Sequence, residues 1–172
     1  MKLKKTCIMI IVLLVIVSLT ALAAAQGRRR GIKKEIWIPA AAFTASSAVD
    51  TNGCSIPNFE AGYLTGDDIN GCLAVAPVIF PKGAKKIMEV EFYARDENEG
   101  GSVRLDLRRL ELGANIGTAL GSAQSAGYSG LVEAYVISLN DDLDIIESGY
   151  VYYLTTDIDI NTFLYGVKII YK

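Results

Sequence analysis

Short segments in which apolar and polar residues alternate recur from residue 35 onward, and turn residues separate one segment from the next. The clearest spans residues 86–94, where Val90 and Phe92 point one way while Glu89 and Glu91 point the other. A period of two is typical of a β-strand with one buried face. Apart from the N-terminal apolar stretch, no long segment has the 3.6-residue period of a helix. About seven or eight such strands predict an all-β fold, an antiparallel β-sandwich of the jelly-roll or immunoglobulin-like kind.

Two features interrupt this alternation. Pro77 lies inside the apolar run 73–80, and because proline has no amide hydrogen, the run is predicted to form an edge strand or to contain a bulge. In residues 103–112 the alternation slips by one residue. A slipped strand keeps both halves facing the core only if it contains an extra residue, so we expect a β-bulge at Arg108–Arg109.

The first 25 residues have the three parts of a secretory signal peptide. Lysines at positions 2, 4 and 5 precede an apolar run at positions 8–17, and small residues, among them Ala23 and Ala25, follow it. This order predicts export, with cleavage after Ala25 that leaves Gln26 as the first residue. The alternative is an uncleaved membrane anchor, because residues 7–25 nearly reach the roughly 20 residues that span a bilayer and basic residues follow them.

The sequence therefore divides into a signal peptide at 1–25, a basic flexible tail at 26–34 and a single β-sandwich domain at 35–172. Three arginines and two lysines give the tail its charge. A second interpretation is that the tail docks onto an anionic envelope surface or an acidic neighbouring copy. We expect the protein to be secreted, periplasmic or on the cell surface. It would contact a membrane only through the signal segment, and only if that segment is retained.

The composition argues against several functions. Residues 35–172 contain 19 acidic and 9 basic residues, a balance that disfavours nucleic-acid binding, since phosphates require basic surface. The chain has no histidine, which excludes Ser-His-Asp and Cys-His nucleophilic sites. We therefore predict a protein that is not an enzyme. A carboxylate-based glycoside hydrolase is the less favoured alternative, because it needs two acids about 5–10 Å apart and so many acids offer such pairs by chance.

Cysteine and aspartate residues suggest two further features of the domain. Cys54 and Cys72 are an even pair in a chain predicted to be exported, so we predict a disulfide between them. Two buried free thiols are the alternative. Asp141, Asp142 and Asp144 are closely spaced oxygen ligands of the kind that calcium prefers, although solvated turns use the same residues. Calcium is therefore the one candidate ion, and no other cofactor is predicted.

Aromatic residues are the remaining candidates for a binding site. Trp37, Tyr150, Tyr152 and Tyr153 have flat apolar rings on which sugar rings stack. Tyrosines on a strand also serve as core or cross-strand residues. Because successive side chains point to opposite faces of a strand, Tyr150 and Tyr152 are expected on one face and Tyr153 on the other. The three tyrosines can therefore form a single platform only if a bulge intervenes.

Three short motifs resemble those of a known group of proteins. Residues 38–43 (IPAAAF), 76–84 (APVIFPKGA) and 164–169 (LYGVKI) are similar to the opening, the second landmark and the closing strand of uncharacterised secreted bacterial β-sandwich proteins. The resemblance covers most of the chain after the signal segment. It implies export and a β-sandwich fold, and it implies no activity and no functional residues.

Together these observations predict an exported, non-enzymatic β-sandwich that binds or assembles at the cell envelope. Its partners would be an envelope polymer, a glycan or another copy of the chain. The alternative function is a carbohydrate-binding module that uses surface aromatic residues, with the glycoside hydrolase as the less favoured second alternative.

The predicted bridge between Cys54 and Cys72 can be tested by reduction. Closing a loop of about 18 residues stabilises a fold by roughly 3 kcal/mol in the chain-entropy model, so we expect reductant to lower the melting temperature. Mass spectrometry of the intact protein should show the mass gain of a reduced bridge. A melting curve that reductant leaves unchanged would contradict the prediction.

Overall fold

The computed structural model describes residues 32–45, 54–55, 62–66, 71–140 and 143–172, with the backbone alone for 54–55. Residues 33–172 form one compact unit. The predicted cleavage site at Ala23, Ala25 and Gln26 lies outside the described residues, as do Asp141 and Asp142. The described part of the chain contains no helix that is long and apolar enough to cross a membrane.

Nearly all the regular structure is β-strand. Ala40–Ala42 form a short 3₁₀ turn. The strands in the described residues are, in chain order, β1 (Lys34–Pro39), β2 (Thr44–Ala45), β3 (Cys54–Ser55), β4 (Leu64–Gly66), β5 (Cys72–Val78), β6 (Ile87–Asp96), β7 (Val103–Glu111), β8 (Thr118–Gln124), β9 (Val132–Val136), β10 (Ser138–Leu139), β11 (Tyr150–Ile158) and β12 (Thr162–Tyr171).

The strands form two antiparallel sheets that pack face to face. In sheet A, β12 pairs with β6 on one side and with β1 and β4 on the other, while β3 and β9 lie at the edges. Sheet B has the order β10-β8-β7-β11-β5-β2. When the eight longest strands are numbered along the chain, the two orders become 1-8-3-6 and 5-4-7-2, which is the arrangement of a jelly roll. The predicted antiparallel β-sandwich is confirmed, and it is of the jelly-roll kind.

The core lies between the sheets and is built by alternation along the strands. Leu105 and Leu107 of β7 are fully buried, and so is Phe92 of β6 in the opposite sheet. Burying one side chain of this size stabilises the fold by about 1.5–3 kcal/mol relative to leaving it exposed. The residues that alternate with these leucines on β7, such as Arg104 and Asp106, point outward because successive side chains of a strand face opposite sides. The core therefore decides which polar residues reach the outer face.

The predicted bulge lies close to the expected place but on the neighbouring strand. The β7–β8 ladder shifts register between Leu107 and Arg108, and the residue left out of the pairing is Leu120 of β8. β7 itself pairs with β11 without interruption. The expectation of an extra residue at Arg108–Arg109 is therefore wrong. Arg109 instead contacts Tyr150 at the end of the sheet, where its guanidinium carbon lies 4.6 Å from the ring centre in a cation–π contact.

A second bulge, in β12, decides which side chains of that strand face outward. Its register against β6 shifts between Leu164 and Gly166, so Tyr165 is the extra residue. Leu164 and Val167 are both buried, although a strand without a bulge would place them on opposite faces. The bulge thus turns Tyr165 to the outer face of sheet A. At the other end of β12, Tyr171 pairs with Lys34, the first residue of β1.

Two of the sequence motifs have structural roles. Pro77 pairs with Tyr153 of β11, while the pairing of β5 with β2 ends at Val75. The edge strand on this side of sheet B is β2 and not β5, but among the described residues β5 has no second partner at Pro77, which fits the missing amide hydrogen of proline. In the opening motif, the 3₁₀ turn places Ala40 and Phe43 in the core.

The placement of the core can be tested with Leu154, which is fully buried on β11 between β5 and β7. Leu154→Ala should lower the free energy of unfolding by about 2–5 kcal/mol, since it removes apolar contact and leaves a cavity. Val151→Ala, on the same strand but partly exposed, is the control and should cost much less. Urea unfolding measures both, and equal losses would contradict this core.

Candidate functional site

The outer face of sheet A carries an exposed indole stacked on a tyrosine. The ring of Trp37, on β1, lies on that of Tyr93, on β6, with ring centres 5.4 Å apart and planes inclined by 27°. β12 runs between these strands, and its residue opposite Tyr93 is Gly166. A Cβ atom on Gly166 would come within 2.9 Å of the Ile38 carbonyl oxygen. Glycine therefore lets β1 approach β12 closely enough for Trp37 to reach Tyr93.

Charged groups fix the tyrosine beneath the indole. The Tyr93 hydroxyl donates to Oε2 of Glu91 at 2.9 Å and accepts from Nζ of Lys168 at 3.3 Å, while Lys168 and Glu91 form an ion pair. The Glu91 carboxylate and the Tyr93 hydroxyl raise the pKa of Lys168, and Lys168 lowers the pKa of Glu91. Both groups stay charged near neutral pH, so the ring of Tyr93 is held in a fixed orientation.

More aromatic rings extend this surface along β12. Tyr63 lies edge-on to Phe163, with ring centres 4.9 Å apart, and 5.8 Å from Tyr165. The guanidinium carbon of Arg95 lies 4.4 Å from the centre of the Phe163 ring. We call the surface formed by Trp37, Tyr93, Tyr63, Phe163 and Tyr165 the aromatic face. Trp37 is the exposed member of this face, with 55% of its surface open to solvent, and the other four residues are half-buried.

The outer face of sheet B contains a groove of about 380 Å³. Its floor is β11, and its sides are β5 and β7. Side chains of both charges and several apolar groups line it, among them Leu73, Val75, Arg104, Asp106, Arg108, Thr155 and Asp157. A volume of this size lies at the lower end of the range for small-molecule sites.

Asp106 organises the polar side of this groove. Its Oδ1 accepts hydrogen bonds from Ser122 Oγ at 2.6 Å and from Arg104 Nε at 3.2 Å. Its Oδ2 lies 3.6 Å from Nη1 of Arg108, whose Nη2 donates to the Gly117 carbonyl at 3.1 Å. One carboxylate thus holds two guanidinium groups in place.

Asp157 is the second carboxylate of the groove, and it is not held in this way. Partial burial raises its pKa, and the nearby charge of Asp159 raises it further, while Arg104 lowers it to a smaller extent. Asp157 lies opposite Arg104 of β7 and Leu73 of β5. The fold therefore makes the ionised form of Asp157 less favourable than it is in water.

The structure separates the aromatic residues that the sequence analysis grouped. Trp37 lies on sheet A, whereas Tyr150, Tyr152 and Tyr153 lie on β11 of sheet B. Tyr152 is only 4% exposed, and its hydroxyl accepts from the Glu147 amide at 2.9 Å, so it belongs to the core and cannot serve as a platform. Tyr150 is half-buried at the end of the sheet, and Tyr153 faces outward on the strand that forms the groove floor. These four residues therefore do not form a single platform.

The other sequence candidates are only partly within the described residues. Asp144 is buried and forms an ion pair with Lys86, and among the described residues no three His, Cys, Asp or Glu side chains are placed to hold a metal ion. Calcium binding stays a prediction because Asp141 and Asp142 are not described. Cys72 is fully buried at the start of β5, and β3, which begins at Cys54, contacts β5. The disulfide stays a prediction too.

Sequence reasoning missed Tyr93 and Lys168 as members of a site, and also the groove residues. The sequence pattern that points to the groove is the spacing of Arg104, Asp106 and Arg108, which puts three charged side chains on one face of a strand. Alternation shows that these residues point outward, but it does not show which residues of β5 and β11 lie beside them.

Because the pKa of Asp157 is raised in the folded state, the stability of the fold should depend on this residue and on pH. A carboxyl whose folded-state pKa is raised stabilises the fold below its unfolded pKa of about 3.9, and this contribution is lost as the pH rises through the raised value. Asp157→Asn should therefore raise the melting temperature at neutral pH, and the gain should shrink toward pH 3. Asp159→Asn is the comparison: its Oδ2 accepts from Ser102 N and Oγ at 2.8 and 3.1 Å, so this variant should melt lower. An Asp157→Asn variant that is less stable at neutral pH would contradict the prediction.

No family model matches this sequence, and no curated protein matches it. Among solved structures, it is similar to the C-terminal family 6 carbohydrate-binding module of a marine laminarinase from Zobellia galactanivorans, with 19% identity and a TM-score of 0.46 over 79% of this chain and 98% of that chain. A xylan-binding module of family 86 from Roseburia intestinalis has 13% identity and a TM-score of 0.45 over 83% and 97% of the two chains. A family 2 carbohydrate esterase from Cellvibrio japonicus has 8% identity and a TM-score of 0.44 over 82% and 35%. These values are too low to show what this chain binds.

Proposed function

We propose that this protein is an exported, non-enzymatic module that binds carbohydrate through the aromatic face of sheet A. The observation that carries the proposal is the exposed indole of Trp37, which lies nearly flat on Tyr93. The carbon–hydrogen face of a sugar ring is apolar and flat, so it packs well against an aromatic plane. An indole with one face covered by Tyr93 and more than half of its surface open presents such a plane to a ligand.

The surroundings of Trp37 supply what the hydroxyl groups of a sugar require. Glu91 and Lys168 lie beside the stacked rings and offer an acceptor and a donor of hydrogen bonds. These groups are already held by each other and by the Tyr93 hydroxyl. A ligand that binds there does not have to order flexible side chains, which lowers the entropic cost of binding.

The aromatic face also has room for more than one sugar unit. Tyr165 and Phe163 continue it along β12, and Arg95 lies over Phe163. A row of aromatic and charged side chains along one strand suits an extended chain better than a single compact ligand. Export rests on the predicted signal peptide, so the ligand we propose is a glycan of the cell envelope or of the surroundings.

A glycoside hydrolase is the second candidate, and one observation favours it. The groove of sheet B holds two carboxylates, Asp106 and Asp157, and the raised pKa of Asp157 is a property of a general acid. It ranks second because Asp106 is already engaged by Ser122, Arg104 and Arg108. The oxygens of such a carboxylate already have partners, so they are less available to a substrate or a water molecule.

The proposal predicts that the indole carries binding. The full-length gene product, purified after export, is screened on an array of plant, algal and bacterial polysaccharides, and the best ligand is measured by calorimetry. Trp37→Ala should weaken that affinity at least tenfold, equivalent to about 1.4 kcal/mol. Tyr128→Ala is the matched control, because Tyr128 is 62% exposed and lies outside the aromatic face.

Two results would count against the proposal. The first is the absence of any ligand on the array, and the second is equal affinity of the Trp37→Ala variant and the parent. Release of new reducing ends from a bound polysaccharide, abolished by Asp157→Asn, would instead identify a hydrolase.

A further inference from the structure

We propose that the groove on the outer face of sheet B is a second saccharide site, specific for neutral sugars, so that one copy of the protein holds two glycan segments on opposite faces. The shape of the groove follows from the lengths of the side chains that line it. Thr155 lies at the middle of the floor, between Val75 of β5 and Asp106 of β7. Its short side chain is flanked by longer ones on β7, and the difference in length creates the groove.

The charges of the groove determine the class of ligand. Arg104 and Arg108 provide two positive groups, and Asp106 and Asp157 provide two negative ones. The long-range attraction and repulsion on an ionic ligand therefore largely cancel. A neutral ligand whose groups both donate and accept hydrogen bonds can use guanidinium and carboxylate groups together, and sugar hydroxyl groups have this property.

The donors and acceptors are arranged before any ligand arrives. Asp106, which Ser122 also contacts, accepts a hydrogen bond from Nε of Arg104, yet the side chain of Arg104 remains 58% exposed. The rest of its guanidinium group is therefore open to a ligand. Asp157 lies opposite Arg104 across the β7–β11 ladder, so a donor and an acceptor stand side by side, as neighbouring sugar hydroxyl groups require.

The remaining side of the groove is apolar. Leu73 is 59% exposed and Val75 is half-buried on β5, and both border the groove. A sugar ring could therefore rest its carbon–hydrogen face on β5 while its hydroxyl groups point to β7 and β11. This combination of an apolar side and a polar side is what separates a saccharide from a peptide or a lipid as the ligand.

The two sites lie on the outer faces of different sheets, so they do not share a side chain. Arg104 and Asp157 belong to sheet B, and Trp37 and Tyr93 belong to sheet A. The saccharide site in the groove is argued independently, and only the statement that one copy holds two glycan segments rests on the proposed function. Two sites on one copy would join separate stretches of glycan and increase the apparent affinity for a polymer.

Calorimetry with neutral hexasaccharides of glucose, xylose, mannose and galactose tests the inference, with a hexagalacturonate as the acidic comparison. The full-length gene product, purified after export, should bind two neutral hexasaccharides per chain and should bind the acidic one at least tenfold more weakly. Arg104→Ala should lower the stoichiometry to one, and so should Trp37→Ala, while the double variant should not bind. Glu111→Ala is the control, because Glu111 is exposed at the end of the same strand and does not line the groove.

Asp157→Asn provides a second variant of the groove that keeps the size of the side chain, and it should weaken the groove site at least tenfold without unfolding the protein. If binding depends on Trp37 and neither Arg104→Ala nor Asp157→Asn changes it, the groove site is refuted and the proposed function stands. If binding depends on Arg104 and not on Trp37, the groove site stands and the aromatic face is refuted. Tighter binding of the acidic hexasaccharide in the groove would refute the specificity for neutral sugars.

Discussion

The alternation of buried and outward side chains along the central strands is the constraint on which the rest of the structure depends. Leu154 and Ile158 of β11 fill the core, and Thr155 and Asp157 are for that reason turned outward. A shift of the pairing by one residue would exchange the two sets, so the energy of the core fixes the register. The register in turn decides which groups line the groove, and Phe92 fixes Tyr93 on the other sheet in the same way.

Much of the fold follows from the sequence, whereas little of either site does. Alternation is a local property, so it predicts the sandwich and the opposite directions of Tyr152 and Tyr153, and the missing amide hydrogen of Pro77 predicts a position without a second partner strand. Alternation does not show which strand of a pair contains an extra residue, and for that reason the sequence predicts a bulge at Arg108–Arg109 although the unpaired residue is Leu120 of the neighbouring strand. Trp37 and Tyr93 are far apart in the chain and meet only because β1 and β6 both pair with β12.

Each outer face carries an arrangement of opposite charges, and its contribution lies in orientation more than in stability. Glu91 and Lys168 hold Tyr93 on sheet A, and Asp106 holds Arg104 and Arg108 on sheet B. Ion pairs at a protein surface contribute only about 0–1 kcal/mol each, which is small beside the burial of one large apolar residue. What these pairs supply is a fixed direction for side chains that would otherwise rotate freely.

The pairing of β1 with β12 has a mechanical consequence. The strands are antiparallel, and Lys34 lies opposite Tyr171, so the first residue of β1 and the last residue of β12 lie at the same end of one ladder. A force that pulls these two residues apart acts on one hydrogen-bonded pair at a time, so the β1–β12 ladder unzips from this end. We expect the domain to yield to small forces along this direction.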